Sequence, residues 1–298
     1  MKVLLTGVSG QLGKALIASK PPCVELVICG RSELDLAKPS DCQFSVYHYR
    51  PNWVLNAGAY TAVDKAETEP NLAYLVNAEA PAAFAKALAH TGGLLLQVST
   101  DFVFDGKQGF PYRPDQTVCP LGVYGASKAE GEYAALKLPG ARVLRTSWVY
   151  GPFGNNFLKT MLRLHRQGDE ISVVSDQVSC PTSINSLALA CWRAIGVGLE
   201  DSSQVDLPRI LHWSDAGVAS WYDFATAIGE LGVATGLIDK TAHILPISTS
   251  KYPLVAVRPS YSLLDCTSSR DALGLWPLHW RAALQDILES YHHDNYWH

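Results

Sequence analysis

The sequence predicts an α/β fold, a parallel sheet with helices on both faces and a smaller C-terminal region attached to it. Three observations carry that expectation. Short, continuously apolar runs alternate with longer helix-like stretches through the first half, a glycine-spaced turn joins the first run to the first helix, and small residues follow the third run. Strands covered on both faces read as unbroken apolar segments, whereas half-exposed strands alternate. Strand and helix in repeated succession imply parallel pairing through crossovers.

Taken in order, residues 2–5, 25–29, 53–56, 94–99 and 142–146 predict buried strands, and 11–19, 72–91 and 122–137 predict the helices between them. Past residue 150 the alternation loosens. Helices are expected over 155–167, 183–195 (with Pro181 just ahead), 221–231 and 280–291, and a strand over 170–174. The polar stretch 199–208 reads as a loop, and Pro246, Pro253 and Pro259 break the chain before the last helix. No internal repeat or low-complexity segment interrupts the pattern. The expected division is a first domain over 1–150 and a mainly substrate-facing region over 151–298, with about 170–198 returning to the sheet.

At 298 residues, 48% hydrophobic and 17% charged, the chain is long enough to bury a large core. A net charge of -4 and a pI near 6.1 give no reason to expect nucleic acid or an anionic membrane as partner. The seven cysteines, at 23, 29, 42, 119, 180, 191 and 266, form no C-x-x-C pair and are odd in number. Buried reduced thiols and a cytoplasmic location are therefore expected. Residues 1–7 run straight into a strand and a glycine turn, unlike a secretion signal. Nor does any stretch approach the roughly 20 apolar residues a membrane helix needs.

The chemistry-bearing residues sit at the ends of the expected strands. Gly7, Gly10 and Gly13 follow the first strand and open the first helix. That spacing permits a tight turn, lets a pyrophosphate approach bare backbone and aims helix N-terminal amides at the anion, which makes a Rossmann-type dinucleotide site the expectation; the bland alternative is a tight turn alone. Arg31, after the second strand, stands where an acid would hold the ribose hydroxyls of NAD and where an Arg can pair with the extra phosphate of NADP. It tilts the expectation to NADPH, with NADH possible and a solvated surface Arg as the alternative. Asp35 and Leu36 follow, placed to cover the adenine edge. Small residues from Asn56 to Ala59 leave room for a ligand at the same sheet edge. Ser99, Thr100 and Asp101 put a hydroxyl there too, unless they simply form an Asx-type turn.

Tyr124 and Lys128, four apart, stack on one helix face, so the ammonium can sit near the phenol and favour its ionised form. Thr100 and Tyr124 are the two candidate proton-relay groups. Other conspicuous residues have plainer readings. The tail 292–298 reads as a terminus rather than a metal site. Trp213, Trp221 and Trp276 read as core or pocket wall. Asn155 and Asn156 open a helix, where capping and phosphate contact stand as alternatives.

In their order and intervals, Gly7 to Gly13, Asn56 to Ala59, Ser99-Thr100 and Tyr124 to Lys128 resemble the extended short-chain dehydrogenases/reductases. Ala59 to Glu67, Ser99 to Phe104, Arg145 to Tyr150 and Gly154 to Phe157 resemble, more narrowly, the dTDP-4-dehydrorhamnose reductase family. Asp176-Gln177, Pro181-Thr182 and Arg258-Pro259 extend the likeness over almost the whole chain. The resemblance implies reduction of a nucleotide-linked 4-keto sugar by hydride from a nicotinamide. In it Tyr124 would give the proton to the C4 oxygen, Lys128 would bind the nicotinamide ribose and depress the Tyr pKa, and Thr100 would hydrogen-bond the reacting oxygen. Gly7, Gly10, Gln11, Leu12, Gly13, Arg31, Asp35, Leu36, Ala59, Tyr60 and Thr61 would bind the cofactor. Val63, Asp101, Phe102, Trp148, Asn156 and Arg258 would face the substrate.

Two departures from the family pattern matter. Phe102 stands where the family usually has Tyr, so a hydroxyl near the sugar is missing and a different nucleotide-linked sugar stays open. Ala15 stands where some relatives carry a Glu that bridges a dimer through Mg²⁺; no metal is therefore expected, although Glu289 leaves another route, and a homodimer follows only by analogy. The fold also resembles the regulatory subunit of methionine adenosyltransferase, which leaves a non-catalytic rival.

Overall fold

All five strands expected in the first half form and pair in parallel: β1 (Lys2–Thr6), β2 (Glu25–Ile28), β3 (Trp53–Asn56), β4 (Leu94–Thr100) and β5 (Arg142–Thr146). The computed structural model describes residues 1–198 and 207–293. The tail beyond it, and residues 199–206 of the expected polar loop, lie outside the described residues. A sixth strand comes from far along the chain, past β6 (Val149–Tyr150), β7 (Ile171–Val174), β8 (Val178–Ser179) and β9 (Thr182–Ser183). It is β10 (Ile210–Trp213), and the sheet order is β10-β5-β4-β3-β1-β2. Strand order thus reverses between β1 and β3. In a Rossmann-type doubly wound sheet, the crevice beyond the carboxyl ends of those two strands is where ligands bind.

Two-residue periodicity sends successive side chains to opposite faces and so divides the core. Val3, Leu5, Trp53, Leu55, Leu96 and Leu144 meet helices α1 (Gln11–Ala18) and α8 (Ile184–Ala194) on one face. Leu4, Val54 and Leu95 point the other way, onto α2 (Pro39–Tyr49) and α5 (Ala80–Thr91). Burying each such side chain contributes about 1.5–3 kcal/mol.

Between β3 and α5 run α3 (Val63–Ala66), α4 (Pro70–Tyr74) and a π turn over Leu75–Glu79. The single helix expected over 72–91 is therefore interrupted. The extra residue in the π turn accompanies an inward Asn77, 1% exposed, whose amide bonds the Tyr60 backbone in both directions and the Ser127 hydroxyl. Helix α6 (Val123–Leu136) then carries Tyr124 and Lys128 along the sheet.

The second half builds its own core from α7 (Phe157–Gln167), α9 (Trp221–Ala234) and α11 (Trp280–His293), with β11 (Ala219–Ser220) and β12 (Ile244–Ile247) around them, while α10 (Thr267–Leu273) packs back on β10 and α8 of the main sheet. The segment 170–198 divides: α8 packs on the main sheet, whereas β7 pairs in parallel with β12. Ser172 is the one exposed position of β7, in an outlying two-stranded pair separate from the main sheet. The strand that does return, β10, has Leu211, His212 and Trp213 all buried. Helix α2 was not expected, because its residues carry little helical periodicity; Pro39 at its first turn and Asp41 beside it supply the start. No helix among the described residues is long and apolar enough to cross a membrane.

Candidate active site

A cleft opens at the carboxyl ends of β1 and β3, lined by Gly7, Gly10, Gln11, Leu12, Arg31, Asp35, Leu36, Ala59, Tyr60, Thr61, Tyr124 and Lys128 among others. Its floor is bare backbone. A Cβ on Gly7, whose φ is +67°, would lie 2.5 Å from the Gly58 nitrogen, and one on Gly13 would lie 2.2 Å from the Gly7 oxygen. Gly13 therefore packs the turn from beneath instead of lining the cleft. The N-terminus of α1 has neither a side-chain cap nor an acidic residue in its first turn, which leaves its amides available to an anion. A buried polar chain holds the strand ends together. The Thr6 hydroxyl donates to Asn56 Oδ1 at 2.5 Å, Asn56 Nδ2 to Gln97 Oε1 at 2.7 Å, and Gln97 Nε2 to the Val98 carbonyl at 2.8 Å. These residues fit a dinucleotide phosphate.

At one end of the cleft, Arg31 has an 81% exposed side chain, with Nε 3.6 Å from Asp35 Oδ1. At the other end stand Tyr124, Lys128, Ser99 and Thr146. Thr100 lies at the tip of β4. Its hydroxyl donates to Asp101 Oδ1 at 3.1 Å and accepts the Phe102 amide at 3.2 Å, and it lies beside the Tyr124 phenol, whose pKa it lowers. Lys128 Nζ donates to the Val98 carbonyl at 2.7 Å.

The electrostatics differ from the expectation that Lys128 depresses the Tyr124 pKa. Burial pushes the phenol up to about 12; the Thr100 hydroxyl opposes this and the Asp101 charge adds to it. Lys128 is itself brought down to about 8, by burial first, with Glu132 opposing. Removing both side chains from water outweighs what the helix spacing promised.

The expected substrate residues distribute over several places. Val63, Phe102 and Tyr124 line a small cavity with Ala256, Val257 and Pro259. The Phe102 and Tyr124 rings meet edge to face at 5.6 Å. Arg258 pairs with Asp64 at 2.8 Å, and its guanidinium holds that carboxyl below the usual range. Trp148 takes a left-handed φ of +44° and stacks on Trp221 with 3.6 Å between ring centroids. Of the other tryptophans, Trp213 is core and Trp276 is 74% exposed. Asn156 caps α7, accepting the Lys159 amide at 3.0 Å and donating to Gln11 Oε1 at 2.7 Å. Capping, one of its two sequence readings, occupies that side chain here.

Asp101 is 2% exposed and receives hydrogen bonds from Thr100, Ser262 and Ser179, so it sits buried just past the tip of β4 with its carboxylate occupied by protein partners. Burial raises its carboxyl to about 6. Because this folded-state value exceeds the roughly 3.9 of an unfolded Asp, its favourable contribution is complete below about pH 4 and is lost as pH rises through about 6. Asp101→Asn is expected to flatten the fall in Tm between pH 4 and 7 in a thermal-shift titration. Buried Asp215, also raised to about 6, retains part of that slope. An unchanged slope would remove Asp101 as a source.

Sequence reasoning missed Asn77, Glu132, Arg145 and Thr146. Thr146 has a buried hydroxyl with no partner and lines the cleft; it lies in the Arg145–Tyr150 stretch that carried the family likeness, but nothing in that stretch marked this Thr as a site residue. Asn77 acts through contacts 17 and 50 residues away.

Comparisons with known proteins match the chain over almost its whole length. A family model described as the RmlD substrate binding domain matches residues 1–293. The chain is 40% identical to a dTDP-4-dehydrorhamnose reductase of Aggregatibacter actinomycetemcomitans, over 96% of this chain and 98% of that one. It is 39% identical to a probable dTDP-4,6-dihydroxy-2-methyloxan-3-one 4-ketoreductase of Streptomyces antibioticus, over 98% and 97%. It also superposes, with a TM-score of 0.87 and 34% identity over 97% and 99% of the chains, on a dTDP-4-dehydrorhamnose reductase of Bacillus anthracis solved in complex with NADP.

Proposed function

Because this chain belongs to the dTDP-4-dehydrorhamnose reductase family, a family of oxidoreductases, we propose that it reduces the C4 keto group of dTDP-4-dehydro-L-rhamnose to the hydroxyl, giving dTDP-L-rhamnose. The observation that carries the reading is the Tyr124 phenol, beside Thr100 and sharing one cleft with Lys128 and the glycine turn. Bound NADPH supplies the hydride that C4 receives. Tyr124 gives its proton to the C4 oxygen, so the carbonyl gains one hydride and one proton. Tyr124 carries its proton at neutral pH, as a donor must, while the burial that pushes its pKa up to about 12 makes it a weaker acid than a free phenol. Thr100 orients that hydroxyl, and Lys128, charged below about pH 8, holds the nicotinamide ribose.

Gly7, Gly10, Gln11, Leu12 and the α1 amides take the pyrophosphate, while Ala59, Tyr60 and Thr61 wall the nicotinamide half. Arg31, exposed and beside the adenine end, pairs with the 2′-phosphate. Arg31→Ala should then weaken NADPH binding by about 10-fold and leave NADH binding unchanged, the size of one charge-assisted pair at a partly exposed site. Equal losses for both cofactors in a fluorescence titration would remove Arg31 from phosphate recognition.

NADPH oxidation followed at 340 nm with dTDP-4-dehydro-L-rhamnose tests the reaction, and no turnover would sink it. Phe102 and the likeness to the Streptomyces ketoreductase favour one second reading, a different dTDP-linked keto sugar, and turnover with that sugar alone would select it.

A further inference from the structure

One helical turn past Lys128 stands Glu132, so Tyr124, Lys128 and Glu132 follow at four-residue intervals on one face of α6. Glu132 and Arg145 are 3% and 2% exposed, and Arg145 Nη2 lies 2.7 Å from Glu132 Oε2. Glu132 Oε1 also accepts the Ser99 hydroxyl at 2.5 Å and Arg145 Nε at 2.9 Å. Arg145 is closed off on its far side by the Pro114 carbonyl, by His212 Nε2 at 3.2 Å and by the Phe104 ring. Val98, Ser99 and Thr100 are consecutive on β4. Successive turns of α6 therefore engage three adjoining positions of one strand: Glu132 at Ser99, Lys128 at the Val98 carbonyl, Tyr124 at Thr100.

Two charges this deeply buried are costly to desolvate, and packed apolar residues would join helix to strand at least as well. Stability alone does not account for the pair. We infer that Glu132 and Arg145, tied to Ser99, are positioning residues of the active site: they set the register of α6 on β4 that brings Tyr124 to Thr100, and they keep a carboxylate one turn behind Lys128. The inference rests on the reductase reading above.

The groups around Lys128 bear this out. Tyr124 and Glu132 share its helix, Arg145 on β5 lies behind Glu132, and His212 on β10 lies behind Arg145, driven down to about 3 by burial and so neutral. Asp101 at the end of β4 acts on Tyr124, Glu67 past α3 reaches only the start of α6 at the Val123 amide, and the 75–79 turn brings the uncharged Asn77. Glu132 is the group that opposes the burial of the Lys128 ammonium. Without it, Lys128 sheds its proton at lower pH.

The test is the pH profile of kcat for NADPH oxidation by the parent, Glu132→Gln and Glu132→Asp, with Tm measured alongside. Glu132→Gln is expected to lower kcat by about 10-fold and to move the basic limb down by about one pH unit. Glu132→Asp, with its carboxylate one methylene further from its partners, should move the limb the same way by less. Should the Gln variant not fold, the limb of the Asp variant decides. An active parent whose folded variants keep its basic limb overturns the inference alone, whatever their Tm. A parent without turnover overturns the reductase reading, and the inference with it.

Discussion

Tyr124→Phe is expected to lower kcat by about 10²- to 10⁴-fold, the usual worth of a positioned general acid, while the Kd for NADPH stays within about 3-fold. The substitution deletes the one hydroxyl that the proposed mechanism uses as proton donor and leaves its surroundings standing. The phenyl ring keeps its edge contact with Phe102, and Thr100 still donates to Asp101 and accepts the Phe102 amide. Lys128 remains on the Val98 carbonyl. The loss should therefore fall on the chemical step rather than on binding or folding. Steady-state oxidation of NADPH gives kcat, and quenching of intrinsic fluorescence gives Kd. A parental kcat in the variant would take Tyr124 out of the mechanism.

Gly13→Ala is the second large effect, and it should fall on cofactor binding. An added Cβ would meet the Gly7 oxygen at 2.2 Å, Val8 Cα at 2.7 Å and the Gly7 carbonyl carbon at 2.8 Å. All three are backbone atoms, so no side chain can swing aside and the phosphate turn itself must move. Gly7 has little room to yield, because its own missing Cβ already marks close packing against Gly58. Overpacking of this kind costs roughly 1–3 kcal/mol and sometimes more, which corresponds to about a 5- to 150-fold weaker NADPH complex when the strain falls on the turn. Calorimetric titration with NADPH measures it. Parental affinity would mean that the loop relaxes elsewhere.

How much could be read in the one-dimensional chain depended on the range of the interactions involved. The five strands of the first half were legible because a strand buried on both faces must be apolar throughout, and that leaves an unbroken run. Helix α2 was not, since its weak periodicity is compensated by packing on α5, whose residues lie tens of positions away. Residues 170–174 read correctly as a strand, yet their partner is Ile244–Ile247 and not the main sheet. Pairing choice depends on which face stays wet, a property of the assembled layers.

The same distinction runs through the candidate site. Gly7, Gly10, Gly13, Tyr124 and Lys128 were legible because turn geometry and helix periodicity are local, and their order among the neighbouring strands and helices gave spacings that are weak alone their meaning. Spacing could not show that Asp101 would be met by Ser179 and Ser262, 78 and 161 residues further on, or that Glu132 would find Arg145 on a neighbouring strand.

Reaction type and cofactor class were thus determined by the sequence itself, through short-range patterns that survive without coordinates. Protonation states were decided by tertiary structure alone. The sequence reading had a cation lowering the Tyr124 pKa, whereas burial raises it to about 12 and brings Lys128 down to about 8. The reason is physical: a hydrogen bond or a helix neighbour is one local term, but desolvation sums over every atom that displaces water, and those atoms come from the whole fold.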